Sequence, residues 1–424
     1  MRRLHYAWVV AAITFLALLS SAGIRATSTV MILPLEHDFG WDRATVSLAL
    51  SVNLLLYGLC GPFAGALMTR FGLKRVMLAA LLTLATATVT SVMMNSIWQM
   101  VGLWGVLVGL GSGAMALVLG ATVATRWFVK RRGLVTGIFA ASTATGQLIF
   151  LPQQAAIVET AGWRVAVAIV SIVALSVAIL VALFMRDDPR DVGVEPYGAD
   201  QSAPTAPSIR GNPFTLAMDT LFQSAKVKDF WLLAGSFAIC GATTVGLISV
   251  HLIPASVDHG FDEITAAGML ATMGAFDLVG TTFSGWLTDR FDPRKLLVWY
   301  YTGRGIALLF LPAAYSLGVP ALAAFVVLYG LDWVATVPPT VRLLADRFSK
   351  ERVGPVFGWV FAAHQFGGSF AAYAAGAVHT ALGDYLVAFL TAGALCLIAS
   401  GLILGLTRRI ATPPLVLQPL RSNN

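Results

Sequence analysis

The sequence predicts an all-α membrane protein of twelve transmembrane helices, arranged as two parallel halves. Three observations predict this. Of 424 residues, 57% are hydrophobic and 12% charged, about half the ~25% charged share of a soluble chain. Apolar stretches of roughly 20 residues, enough to cross ~30 Å of hydrocarbon as helix, recur from end to end. And the chain is written twice. Gly65-Ala-Leu-Met-Thr69-Arg70-Phe71-Gly72-Leu-Lys74-Arg75 returns as Gly285-Trp-Leu-Thr-Asp289-Arg290-Phe291-Asp292-Pro-Arg294-Lys295, at 285 − 65 = 220. Phe139-Ala-Ala-Ser142 returns as Phe361-Ala-Ala-His364, at 361 − 139 = 222. A long internal repeat in an apolar chain is the mark of two stacked, related bundles.

The twelve predicted spans follow in order. The first, 7–33, is too long for a signal-peptide core and lacks a small-residue cleavage site, so it reads as a retained helix. Spans two (44–66) and three (76–94) flank the first basic loop. Span four (98–122) contains Gly109-Leu-Gly111-Ser-Gly113; no strand precedes it, so close helix packing explains the glycines better than a dinucleotide loop does. Span five (134–157) holds Pro152, and span six (164–184) is almost wholly aliphatic. Spans seven (229–252), eight (264–287), nine (296–316), ten (320–344), eleven (353–378) and twelve (384–406) repeat the plan. Pro152 and the pair Pro338-Pro339 are read as kinks.

Between spans six and seven lies the longest hydrophilic stretch, 185–228, with the Ser/Ala/Pro-rich Gln201-Ser-Ala-Pro-Thr-Ala-Pro-Ser208 of a linker. Phe214, Met218, Leu221 and Phe222 then recur at helical spacing beside Asp219 and Lys226, as in an interfacial amphipathic helix. The expected organisation is an N-terminal six-helix bundle (1–184), the linker (185–228), a C-terminal bundle (229–406) and a tail (407–424).

Net charge is +7, which by itself would suit a nucleic-acid binder. The placement of the charge argues otherwise. Even-numbered spans end on the side where the chain begins. All 28 Lys and Arg fall on that side except Arg43 and Arg164, on the other, and Arg25 and Arg304, within spans. The positive-inside rule then puts both termini in the cytoplasm, and the membrane is read as a plasma membrane, bacterial inner membrane by preference. No nucleic-acid partner is expected, and the basic loops face lipid headgroups. Cys60, Cys240 and Cys396 all fall inside spans without metal spacing, so they read as small core residues. No nucleophile–base set, metal cluster or cofactor motif points to an enzyme.

Charge within a span costs about 2.5–3.5 kcal/mol on insertion scales, so each such residue needs a reason. Arg25 sits among Ser20-Ser-Ala-Gly23-Ile and Ala-Thr27-Ser28-Thr29, small and hydroxyl residues suited to a wet cavity, with no acid one turn away. It either contacts a ligand or pairs with an acid on another span. Asp277 lies near the middle of span eight. Arg304 on span nine is read first as a structural partner of Asp332 or Asp277, since buried charges are normally paired. Asp332 on span ten and Asp277 are the candidate proton sites. His364 could titrate near neutral pH, or serve as a hydrogen-bonded core group. Tyr57, Gln147, Phe150 and Trp333 are candidate cavity side chains.

Two motifs carry a family resemblance. Gly61-Pro62 to Arg75 resembles the signature loop between spans two and three of the major facilitator superfamily. The acid usual in that signature is Thr69 here, and the second copy keeps it as Asp289. Arg70, Asp289 and Arg290 are therefore read as structural or gating charges. Arg126-Trp127-Phe128-Val-Lys130-Arg131-Arg132-Gly-Leu134-Val-Thr-Gly137-Ile-Phe-Ala140-Ala141-Ser-Thr-Ala-Thr-Gly146 resembles the span-five signature of proton-linked monocarboxylate transporters and of bacterial relatives in the oxalate/formate-exchanger group. The first-span signature of the animal members is absent, and the stretch reads Tyr6-Ala-Trp8-Val-Val.

The resemblance implies the major facilitator fold and alternating access. It implies that Arg25 occupies the place of a basic residue that binds substrate carboxylate, and that Asp277 matches an acid used in proton coupling. The arginine that follows that acid by four residues in the family is Thr281 here. The expected function is secondary transport of a small organic carboxylate together with a proton, by a monomer without cofactors. Exchange of organic anions, export of a bulkier organic acid, and non-transporting sensing are the other readings.

Overall fold

The computed structural model describes residues 5–199, 213–348 and 353–407. Ten helices there are long and apolar enough to cross a membrane: Tyr6–Val30, Arg43–Gly65, Leu73–Ser91, Ile97–Trp127, Trp163–Phe184, Lys228–Asp258, Glu263–Thr288, Pro293–Leu317, Val319–Ala345 and Leu386–Leu404. Two further helices of 30 residues, Arg132–Ala161 and Val353–Leu382, take the fifth and eleventh places. The expected twelve spans are all present. Span two runs on beyond its expected end, to Phe71.

Local chemistry sets the ends. Asp42, Asp262 and Asp292 accept the backbone N–H of Thr45, Thr265 and Arg294, capping spans two, eight and nine. Spans two and three are joined by the single residue Gly72, whose φ of 87° favours glycine. Asp187, just after span six, accepts the backbone N–H of Lys74 at 2.7 Å and caps span three from a distance.

Spans four and ten are both interrupted. Span four breaks at Met115-Ala116, and its second segment starts at Leu117. Span ten breaks after Asp332, and its second segment starts at Val337. The two restarts lie 337 − 117 = 220 residues apart, so the repeat extends to a matched pair of helix breaks. This corrects one expectation: Pro338 and Pro339 do not kink a helix but begin one. Proline is tolerated there, because the first turn has no N–H partners to lose. Pro152 lies inside the helix Arg132–Ala161.

The linker helix forms over Pro213–Ser224. It buries Ala217, Thr220 and Ser224 and leaves Phe214 and Phe222 exposed. It docks on both halves: Trp359 of span eleven donates to the Ala217 carbonyl at 2.8 Å, and Phe214 stacks on Phe63 of span two at 4.5 Å.

Candidate functional site

The N-terminal bundle contributes one cation. Arg25 lies on span one, where Gly23 and Gly146 allow spans one and five to approach closely. A Cβ at Gly23 would meet the Phe150 ring at 3.0 Å, and one at Gly146 would meet Ala22 at 2.5 Å. The Arg25 guanidinium lies 4.3 Å from the centre of the Tyr57 ring, a cation–π contact worth about 0.5–2 kcal/mol. Among the described residues no carboxylate pairs with it. It stands where two cavities meet. One runs from Arg25 and Tyr57 past Ser112 to Gly120 and Phe139, toward the face that carries the linker. The other lies between the bundles and adds Ser28, Asn53, Val245 and Ser249.

The C-terminal bundle treats its charges differently. They gather at the break in span ten, where a broken helix leaves backbone groups without partners. Arg304 meets the carbonyl side. Its Nη2 donates to the carbonyls of Asp332 and Trp333 at 2.5 and 3.1 Å, and its Nε to the Asp332 carboxylate at 2.7 Å. Its Nη1 donates to Cys240 Sγ at 2.8 Å, so that cysteine is a hydrogen-bond acceptor as well as a core residue. Asp277 meets the N–H side. Its Oδ1 accepts from the Val334 backbone at 3.0 Å and from the Thr281 hydroxyl at 2.7 Å. Thr281 thus ties down the acid it follows by one helical turn. Arg304 pairs with Asp332 and not with Asp277.

The remaining candidates scatter. Phe150 packs on Gly23 beside Arg25. Gln147 lies on span five, but its side chain is outside the described ones. Trp333 is buried, stands edge-on to Tyr329 at 6.0 Å, and is not among the residues lining the two cavities at Arg25; its backbone carbonyl is what Arg304 uses. His364 is buried against Phe237 and Phe361 (4.7 and 5.8 Å between ring centres), and its Nδ1 has no partner.

Arg70 and Arg290 lie beside their own neighbours Phe71 and Trp286, and Asp289 is exposed. Among the described residues none of these three forms an ion pair. The charge work on that face is done by Arg347, which the sequence offers only as loop charge, and by Asp229, the first residue of the expected span seven. Arg347 and Asp229 form a buried pair at 2.5 Å, which Thr407 joins at 3.0 Å. A second missed group, around Arg43, closes the other face. Its sequence signal was present: Arg43 is one of only two cations on that side.

Two helix bundles around a cavity that holds Arg25, unpaired among the described residues, suit a membrane carrier. The chain belongs to the major facilitator superfamily, whose sequence model matches residues 13–280 and 236–422. It is 24% identical over 407 residues to the uncharacterised MFS-type transporter YcxA of Bacillus subtilis, covering 93% of each chain. It is 24% identical to monocarboxylate transporter 13 of Bos taurus, over 95% of this chain and 89% of that one. It is 26% identical to monocarboxylate transporter 11 of Homo sapiens, over 96% and 84%. In fold it is similar to a bacterial homologue of the human lysosomal transporter Spinster, with a TM-score of 0.75 at 17% identity over 96% of this chain and 99% of that one. The xylose transporter XylE of E. coli gives 0.71 at 16%, over 95% and 98%.

Proposed function

We propose that this transporter moves a small organic carboxylate together with a proton, by alternating access of its two bundles. The observation that carries the reading is Arg25: a cation within the membrane, at the meeting of two cavities, with no carboxylate beside it among the described residues. A guanidinium offers a carboxylate two parallel hydrogen bonds, and the ring of Tyr57 holds it in place from one side. Phe150 packs on Gly23, two residues before Arg25. The monocarboxylate transporters among its relatives support the substrate class.

Asp277 is the proposed proton site. It accepts the Val334 backbone N–H at the break in span ten, so a change in its charge bears directly on that break. Coupling also meets an energetic need. Importing a lone anion against an inside-negative potential costs about 2.3 kcal/mol per 100 mV, and one accompanying proton cancels it. In this reading the protein works as a monomer in the plasma membrane with both termini cytoplasmic.

Uptake of radiolabelled lactate and larger monocarboxylates into liposomes tests this. An inward proton gradient should accelerate uptake, and Asp277→Asn should remove that stimulation while sparing counterflow. Uptake indifferent to the gradient but accelerated by internal carboxylate would replace symport with exchange.

A further inference from the structure

The face opposite the linker is closed by a network that spans both bundles. Its centre is Arg43, at the start of span two, only 6% exposed. Its Nη1 and Nη2 donate to the two carboxylate oxygens of Asp258 at 2.5 and 2.6 Å. Asp258 ends span seven, so this fork crosses from one bundle to the other. Arg43 Nη1 also donates to the Tyr385 hydroxyl, at 3.2 Å, before span twelve. Its Nε donates to Glu36 at 3.0 and 3.2 Å, within its own half.

Two histidines extend the network. His251 Nε2 lies 2.8 Å from the Ala372 carbonyl, which can only accept, so Nε2 carries the hydrogen. His251 Nδ1 then accepts from the Tyr385 hydroxyl at 3.0 Å, leaving the Tyr385 oxygen for Arg43. His379 of span eleven lies with Nε2 3.2 Å from Asp258 Oδ2, the oxygen that Arg43 Nη1 already holds. Asp384 stands in the loop beyond it and caps Leu386.

We propose that Arg43 is the latch that holds this face shut, and that it competes with a proton on His379 for Asp258. Rocking the bundles apart separates Arg43 and Glu36 from Asp258, His379 and Tyr385. In the open state Asp258 has His379 as its near partner, and a protonated imidazole satisfies it. In the shut state the guanidinium takes both oxygens, and a second cation at His379 faces Arg43 across the same carboxylate. Asp384 stays with His379 in either state, and Glu36 stays with Arg43, so neither reverses the preference. Acid outside therefore favours the open face. The proposal needs the two-bundle fold and alternating access, and holds whatever the cargo is.

Spin-label distances test it. With the native cysteines replaced, labels go at His37 and Leu382, both exposed on this face in opposite halves. At pH about 7.5 the short distance should dominate. Arg43→Gln and Asp258→Asn should each raise the long-distance fraction several-fold, and the charge-swapped pair Arg43→Asp with Asp258→Arg should restore the short one. Moving to pH about 5.5, across the range of an ordinary histidine, should lengthen the native distance and leave His379→Gln unchanged. Thermal melting identifies any single variant that misfolds, and the charge-swapped pair then carries the test of the latch. Native distances in Arg43→Gln and Asp258→Asn, or persistent opening in a folded charge-swapped pair, would overturn the latch. An acid response in His379→Gln equal to the native one would overturn the competition.

Discussion

Arg25 and Arg304 are the two arginines set within spans by the sequence, one in each bundle, and their surroundings are opposite. Arg304 is 1% exposed and spends its donors on a carboxylate, two backbone carbonyls and a sulfur. Arg25 has an aromatic ring on one side and cavity on the others. The first mends a broken helix. The second has donors that no carboxylate among the described residues takes, and in a membrane spare donors are costly unless water or a ligand takes them. The difference teaches that charge in a span becomes a candidate for binding only after its protein partners have been counted.

The largest expected effect breaks the structural side of that comparison. Arg304→Met removes the partner of Asp332 and strands two carbonyls at the span-ten break. Losing one member of a buried pair costs about 3–5 kcal/mol, so the detergent-solubilised variant should melt well below the native protein. A native melting curve would mean that Arg304 is not what joins spans nine and ten.

Arg25→Gln is the complementary test. With no ion pair to lose, its melting should stay close to native. Carboxylate binding should fall about 10-fold or more, since a charged hydrogen bond contributes about 1.5–3 kcal/mol. Calorimetric titration with a monocarboxylate measures it. A variant that melts early yet binds normally would exchange the roles assigned to the two arginines.

The smallest effect lies outside the spans and sharpens the same rule at the surface. Asp38 accepts the Trp163 indole N–H at 2.8 Å, and that hydrogen bond holds its carboxyl below the usual range. A carboxyl depressed in the folded state contributes stability above its unfolded value of about 3.9 and loses it as pH falls through the folded value. Trp163→Phe should therefore flatten the acid limb of a melting-temperature profile slightly and leave neutral pH untouched. An unchanged acid limb would show that the contact contributes nothing.

Much of this was legible in the sequence. Hydropathy and helix length dictate twelve spans, because hydrocarbon of fixed thickness admits few alternatives. The 220-residue repeat foretold two bundles, and Ser112 and Asp332, its counterparts, each lie within a few residues of a helix break. The absence of an acid near Arg25 along its own helix was visible as well.

Pairing was not. Arg304 had two acids to choose from, and the choice rests on where the span-ten break presents its carbonyls. Thr281 read as a missing cation, yet the fold uses its hydroxyl to hold Asp277. Trp333 read as a cavity ring, but span ten turns it inward. Asp258, His379 and Tyr385 meet through the folding of one bundle, and only closure of the two bundles brings Arg43, more than two hundred residues away in sequence, within hydrogen-bond reach of Asp258 and Tyr385. The sequence by itself determined the spans, their repeat and the inventory of charges, because these follow from local composition against a membrane. Which charge answers which is a matter of angles between helices, and the tertiary structure alone decided it.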